Sequence, residues 1–265
     1  MRIVGELINA SRKKIRDDIK EKNYEAIAKV AKDQYEHGAT YIDVNAGTFV
    51  GKEAEYVTWL VKTVQENVDV PCCIDSPDPN VIEAALKVHK GTPLINSISL
   101  ESERFEKMIP LLRGADIKII ALCMSDEGMP YVKDDRLKIA DNLINELVKN
   151  NIKTENIFVD PLVQPIGSGD NFGKEFLDSI EAIHSKYEKI HTICGLSNIS
   201  FGIPKRKFAN QVFMVMAITK GLDSAIMNPL DQRMMANIIA AETLLGKDEF
   251  CMNYVEAYRN GKFDL

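Results

Sequence analysis

Cys72-Cys73-Ile74-Asp75-Ser76-Pro77-Asp78-Pro79-Asn80-Val81-Ile82-Glu83-Ala84-Ala85-Leu86 holds one complete structural unit. The apolar run Cys72 to Asp75 is too short for a helix and suits a parallel strand covered on both faces. Asp78 then offers an N-cap, and Pro79 takes the first helical position, where its missing N–H loses nothing. Val81, Ile82, Ala85 and Leu86 share one helical stripe, and Gly91 ends the segment. The unit reads as strand, polar strand end, helix.

The same grammar recurs on both sides. Apolar runs ending in polar residues occur at Ile3 to Asn9, Tyr41 to Asn45, Leu94 to Ser97, Ile117 to Met124, Ile157 to Asp160, Thr192 to Asn198 and Ser224 to Asn228. Helical stripes separate them. Ala26, Ile27, Val30 and Ala31 precede Gly38, and Leu137, Ala140, Leu143, Ile144 and Leu147 form another face, while Gly221 and Gly246 close later stretches. With Cys72 to Asp75 this makes eight strand-plus-helix units spaced by about 31 residues, as expected for an α/β chain folded into a (β/α)8 TIM barrel of ~250 residues. A doubly wound open sheet uses the same alternation. The number of units, and the polar residue at nearly every strand end, favour closure. No Pro/Gly/Ser-rich linker or composition shift divides the chain, so residues 1–265 are expected to form a single domain.

Composition narrows the function classes. The 265 residues are 45% apolar and 27% charged, the balance of a folded chain with a large core. Lys and Arg total 33 against 39 Asp and Glu, and the net charge of -6 supplies no global attraction for nucleic acid or anionic lipid. Cys72, Cys73, Cys123, Cys194 and Cys251 contain no CxxC pair and no Cys/His ligand spacing, so reduced thiols in a cytoplasmic protein, and no metal site, are expected. No apolar run approaches the ~20 residues of a membrane span, and Met1 to Glu6 reads as a strand rather than a leader.

In a barrel the strand ends converge on one mouth, so Asn9, Asn45, Asp75, Asn96, Asp160, Asn198 and Asn228 are expected to ring a single site. Its repertoire is hydrogen bonding. Asp accepts from paired N–H donors and Asn donates and accepts at once, which suits a flat heterocycle with amide and amidine edges. The plainer reading of any one such residue is a helix cap or a turn. So many on one rim weigh against that reading for the whole set.

These motifs resemble the pterin-binding methyltransferases, above all the methyltetrahydrofolate:corrinoid methyltransferases, TIM barrels related to dihydropteroate synthase and to the folate domain of cobalamin-dependent methionine synthase. The resemblance rests on the order and spacing of Gly5 to Asn9, Asp43-Val44-Asn45, Ile74-Asp75-Ser76, Ile95-Asn96-Ser97, Asp160-Pro161-Leu162, Gly195 to Ser200 and Gly221 to Ile226. It implies that Asp75, Asn96 and Asp160 hold the pterin edge and that Asn198 stands near N5, the methyl-bearing nitrogen. It also places Arg206 beside the folate, with Glu6 and Asn9 at the pterin or corrinoid. The family's Gln in the following loop is replaced by the neighbourhood of Phe201 and Gly202, which implies a more apolar or flexible wall. Ser200-Phe201-Gly202-Ile203-Pro204 looks closer to relatives that pass methyl groups from methoxy or betaine compounds into folate metabolism.

The implied activity is methyl transfer between N5 of tetrahydrofolate and the cobalt of a corrinoid. The chain has no segment like the Asp-x-His-x-x-Gly corrinoid signature and no zinc-thiolate module, so a corrinoid-carrying partner protein is expected to bring the cobalamin. The family further implies a homodimer, to which the apolar Val212, Phe213, Val215 and Met216 helix is a candidate contributor. Two basic stretches, Arg12-Lys13-Lys14 with Arg16 and Lys205-Arg206-Lys207, lie on loops expected at the mouth and are candidates for the folate glutamate tail or an acidic carrier. Two other functions compete: a dihydropteroate synthase-type condensation, and a noncatalytic folate-binding subunit. The first lacks the Asn-x-Thr-x-Asp-Ser-Phe loop after strand one, and retention of Asn198 with Asp75, Asn96 and Asp160 argues against the second.

Overall fold

In the computed structural model, which describes residues 1–264, parallel strands alternate with helices along the chain. The strands are β1 (Arg2–Asn9), β2 (Tyr41–Asn45), β3 (Cys72–Asp75), β4 (Leu94–Leu100), β5 (Lys118–Ser125), β6 (Ile157–Asp160), β7 (His191–Thr192) and β8 (Ser224–Met227). The helices are α1 (Lys13–Lys20), α2 (Tyr24–Glu36), α3 (Glu53–Gln65), α4 (Pro79–Leu86), α5 (Ser102–Leu112), α6 (Lys133–Lys149), α7 (Phe172–Lys186), α8 (Arg206–Thr219), α9 (Gln232–Leu244) and α10 (Met252–Arg259). The eight strands pair in the order β7-β6-β5-β4-β3-β2-β1-β8, and a single parallel bridge, Gly195 to Ile226, spans the remaining seam. The expected barrel is present and nearly closed.

Alternation along the strands sorts the side chains. Ile42, Val44, Ile74, Ile95, Ile119, Ala121, Ile157 and Val159 face outward into the core beneath the helices. Their neighbours turn inward, and Val4, Tyr41, Cys73, Leu94, Ile120, Phe158 and Ile193 meet inside the barrel as a separate apolar cluster. That cluster is a packed floor. Asp43, Asp75, Asn96 and Asp160 follow two residues after members of it, so the strand period puts them on the inward side, one layer nearer the mouth.

Strand ends differ from expectation at three places. β4 and β5 run on to Leu100 and Ser125, with register shifts in their pairing after Asn96. β7 covers only His191–Thr192: Ile193 and Cys194 keep single backbone bonds of 2.9 Å, to Val159 and Ile226, before the chain coils into a 3-10 helix, Leu196–Ser200. Asn198 therefore rides on that 3-10 helix and not on a strand.

A bulge in β1 shapes the mouth. Gly5 pairs with Ile42 and Ile8 with Val44, so one extra residue of β1 is accommodated around Glu6 and Leu7. The Leu7 N–H is satisfied from outside the ladder by Gln34 Oε1 of α2 at 2.9 Å. Gln34 is fully buried, and it reaches this position because Gly5 has no side chain: a Cβ there would lie 2.5 Å from Gln34 Oε1. Gly5→Ala is expected to cost about 1–3 kcal/mol, the range for overpacking a filled site. A urea midpoint unchanged from the parent would show that Gln34 does not buttress the bulge.

Candidate functional site

The inward polar layer is contiguous across the first four strands. Asn9 is the register partner of Asn45, and Asp75 that of Asn96. Asn45 Nδ2 donates to Asp75 Oδ2 at 2.8 Å, and the Ser76 N–H donates to the Asn96 carbonyl at 3.2 Å. Asp75 is not a helix cap, since Asp78 performs that task for α4 by accepting from the Asn80 N–H at 2.9 Å. Its carboxylate is held from one side by an amide and left open toward the mouth.

Asp43 lies beneath this band, only 2% exposed, and its Oδ1 has no hydrogen-bond partner. Burial pushes its carboxyl well above the usual carboxylate range, and the neighbouring charge of Asp75 adds to the effect. Asp75 is raised too, chiefly by burial, against the Asn45 hydrogen bond and the positive charge of Arg104. Two close acids in an apolar setting favour holding a proton between them. Arg104 of α5 donates to the Ser97 carbonyl at 2.8 Å, which anchors its charge behind β4. At the β1 bulge, Glu6 accepts from Arg12 Nη2 at 2.8 Å, yet burial still raises its carboxyl against Arg12 and Arg206.

The other side of the mouth is built around Asp160, which is 8% exposed. Its Oδ1 accepts from the Leu162 N–H at 2.8 Å, and the backbone of Gly195 also stabilises the carboxylate. Burial outweighs these and sets its pKa at about 7. The loop after it is locked by fully buried Arg136 of α6, which donates to the Pro161 carbonyl at 2.8 Å, the Tyr131 carbonyl at 3.0 Å and Gln164 Oε1 at 3.1 Å. Gly195 connects Asp160 to Asn198: a Cβ on Gly195 would stand 3.3 Å from Asn198 Nδ2. Arg206, at the start of α8, donates through Nη2 to the Ser197 carbonyl at 2.6 Å and through Nε to Ser200 Oγ at 3.0 Å, and stacks over the Phe201 ring. Phe201 is 67% exposed, so the loop presents an aromatic side chain outward, and Gly202 turns the chain with φ of 83°.

Turn formation accounts for part of the rim. Asn9, Asn45, Asp160 and Asn228 each accept from the N–H two residues on, at 2.8 to 3.0 Å, as side chains that shape the turn after a strand do. Asp75, Asn96 and Asn198 make no such bond. Asp43 and Arg104 do not stand out as site residues in the sequence, although inward alternation with Tyr41 marks Asp43. Among the described residues, no group of three or more His, Cys, Asp or Glu side chains is arranged to hold a metal ion.

A barrel with this mouth has a family. The pterin binding enzyme profile matches residues 5–228, and the chain belongs to that family. Within it, the chain is 38% identical over 264 residues to methylcorrinoid:tetrahydrofolate methyltransferase of Eubacterium limosum, covering 99% of this chain and 97% of that one. It is 29% identical over 240 residues to methionine synthase of Mycobacterium tuberculosis, covering 85% of this chain but 20% of that longer protein. Among solved structures it superposes on 7,8-dihydropteroate synthase of Vibrio fischeri with a TM-score of 0.71 at 16% identity, over 92% of this chain and 93% of the other. Dihydropteroate synthase of Xanthomonas albilineans in complex with 7,8-dihydropteroate gives 0.69 at 15% identity, over 94% and 92%. Those two likenesses establish the fold.

Asp160 gives this site a signature in stability. Its folded pKa of about 7 lies above the unfolded value of ~3.9, so between them the folded chain keeps a proton that the unfolded chain has lost. Its contribution is complete below the unfolded value and disappears as pH rises through about 7. Asp160→Asn retains an acceptor for Leu162 and cannot ionise. Its melting temperature is expected to exceed the parent's at about pH 8, with the difference narrowing toward about pH 5; a difference independent of pH would contradict the burial of a titrating carboxyl.

Proposed function

We propose that this protein transfers a methyl group between N5 of tetrahydrofolate and the cobalt of a protein-bound corrinoid. The observation that carries the reading is the contiguity of Asp160, Gly195 and Asn198 on one side of a mouth whose other side presents Asp75 and Asn96. Near full-length similarity to a methylcorrinoid:tetrahydrofolate methyltransferase supports it. In this reading Asp75, Asn96 and Asp160 hold the hydrogen-bonding edge of the pterin, and Asn198 faces N5. Arg206, Glu6 and Asn9 border the bound folate. Burial and the mutual repulsion of Asp43 and Asp75 raise both carboxyls, which limits the negative charge beneath the pterin.

The chemistry asks little of a strong base. Breaking the C–N bond returns its electron pair to N5, and an amide-like anion is a poor leaving group, so N5 must gain a proton or a strong hydrogen bond in that direction. The reduced corrinoid supplies the cobalt nucleophile when bound. The chain's own residues orient the pterin, exclude water and stabilise N5. The Asn198 carboxamide donates or accepts at N5 as the protonation of N5 changes, and, having no titratable proton, it works within a network that passes the proton from solvent. Run in reverse, the same contacts favour N5 attack on a methylated corrinoid.

The remaining features are proposed with it: residues 1–265 act as one domain, in the cytoplasm, as a homodimer served by a corrinoid-carrying protein. Free cysteines throughout fit a reducing compartment. Val212 and Met216 of α8 stand 62% and 46% exposed beside buried Phe213, so that helix presents apolar surface outward, which suits a subunit contact.

One assay separates the methyltransferase from a condensing enzyme or a noncatalytic subunit: methyltetrahydrofolate and reduced free cobalamin should lose the Co(I) absorbance only with a methyltransferase. In that assay Asn198→Ala is expected to lower kcat by about 10²-fold or more while shifting the folate Kd by less than about threefold. Equal losses in turnover and binding would remove Asn198 from its role at N5.

A further inference from the structure

Asp43 is buried beneath the mouth without the partners that its neighbours have. It stands on β2 two residues beyond Tyr41 of the inner cluster, 2% exposed, with Cys73 of β3 as its register partner. Its Oδ1 has no hydrogen-bond partner. A carboxyl buried this deeply stays ionised only beside a cation or a full set of donors, because the charge otherwise loses its hydration without compensation. Asp75, one layer nearer the mouth, has such help: Asn45 Nδ2 donates to it at 2.8 Å, and the positive charge of Arg104 acts on it. Asp43 instead faces the acids Asp75 and Glu6 and the thiol of Cys73, which burial keeps protonated. Of the two aspartates, the deeper one is the place for a retained proton.

Asn96 supplies an independent observation. Of the three residues proposed to hold the pterin edge, Asp75 is fixed by Asn45, and Asp160 by the Leu162 N–H at 2.8 Å. Asn96 is held through its backbone: it pairs with Asp75 and Ile120 in the sheet, and its carbonyl accepts from the Ser76 N–H at 3.2 Å. Its carboxamide lies within hydrogen-bonding reach of Asp43. Because Oδ1 is unpartnered, that contact falls to Oδ2. A carboxamide has a donor end and an acceptor end, and whichever one Asp43 takes, the other is offered to the mouth. An ionised Asp43 would take the NH2 and leave the amide oxygen to the ligand, whereas a neutral Asp43 donates its O–H to that oxygen and leaves the NH2. The neutral carboxyl also accounts for Oδ1, a carbonyl oxygen that lacks one bond rather than a buried charge that lacks all of its solvation.

We propose that Asp43 is a positioning residue: as a neutral acid it donates from Oδ2 to the Asn96 carboxamide oxygen and so presents the Asn96 NH2 to the pterin. The inference rests on the pterin reading of the mouth. In the order of the strands, Asn96 on β4 lies between Asp75 on β3 and Asp160 on β6, so the mouth offers acceptor, donor, acceptor. A reduced pterin carries the matching sequence along one edge, where the 2-amino group donates, ring N1 accepts and N8–H donates. With the carboxamide reversed, three acceptors would stand in a row and the ring's own acceptor would face another. Asp43 acts through Asn96 without touching the substrate.

The test uses the full chain with methyltetrahydrofolate and free reduced cobalamin, and follows the folate Kd, kcat at saturating folate and the infrared carbonyl band of protonated carboxyl groups. At neutral pH the parent is expected to show such a band, and Asp43→Asn to lack it. Asp43→Ala frees the Asn96 carboxamide and should raise the folate Kd about tenfold, the loss of one well-placed hydrogen bond, with a smaller effect on kcat. Asp43→Asn should recover affinity to within about threefold, since its NH2 can donate the same bond. An Asn variant as impaired as the Ala variant shows that an ionised carboxylate is needed and overturns the proposal. Unchanged folate affinity in Asp43→Ala overturns the positioning role while leaving the pterin site standing. A parent chain that binds no methyltetrahydrofolate overturns the pterin reading instead. If Asp43→Ala does not fold, the other two measurements decide: a parent without the band, or an Asp43→Asn Kd raised about tenfold, sinks the neutral donor.

Discussion

Carboxyl groups seated directly above an apolar floor govern this molecule. The inward ring of Val4, Tyr41, Cys73, Leu94, Ile120, Phe158 and Ile193 packs the barrel with apolar side chains beneath the mouth, so the acids one layer up are desolvated from below. Burial is accordingly the largest influence on Glu6, Asp43, Asp75 and Asp160 alike. The differences among them come from what each is given in compensation. Asp75 has an amide and a distant guanidinium, Asp160 has backbone N–H groups, and Asp43 has an oxygen with no partner at all. A graded set of acids results from one period-2 pattern and unequal neighbours.

The outer elements serve that layer by fixing backbone more than by touching the pocket. Gln34 holds the β1 bulge, Arg136 ties the turn after β6 through two carbonyls and an amide, and Arg206 clasps the 3-10 helix that bears Asn198. Each is a polar group spending its hydrogen bonds on main chain that the sheet does not pair. Loops at a barrel mouth carry unpaired backbone by necessity, and these side chains replace the missing ladder.

Strand identity was legible because apolar runs and helix signals alternate with a steady spacing, and β2, β3 and β6 begin and end where the residue pattern places them. β7 was not, because the regular ladder stops at Thr192 although the apolar run goes on: Ile193 and Cys194 keep one backbone bond each, to Val159 and Ile226, before the chain turns into the 3-10 helix. Asp43 escaped notice for a related reason. Attention to the last residue of each strand finds the rim, but a buried acid one layer down is visible only once inward alternation is counted from Tyr41. The turn bonds of Asn9, Asn45 and Asn228 show that one residue type serves both backbone and pocket, a distinction that composition does not contain. Arg233 lines one cleft with Lys205, Arg206 and Lys207 only through the proximity of two helix starts, which no local motif records.

The seam between β7 and β8 has a mechanical meaning. A barrel closed by full ladders everywhere resists local deformation, because moving one strand stretches its neighbours on both sides. Here the circuit is completed by one bridge at Gly195, and the segment carrying Asn198 begins at that same residue. The proposed N5 contact is thus mounted on the most compliant sector of an otherwise stiff ring, while Asp75 and Asn96 sit on mutually paired strands far from the break. One side of the mouth stands on continuous ladders and the other on a single bridge, so a small shift of the Asn198 segment would strain fewer sheet bonds than a shift of Asp75 or Asn96.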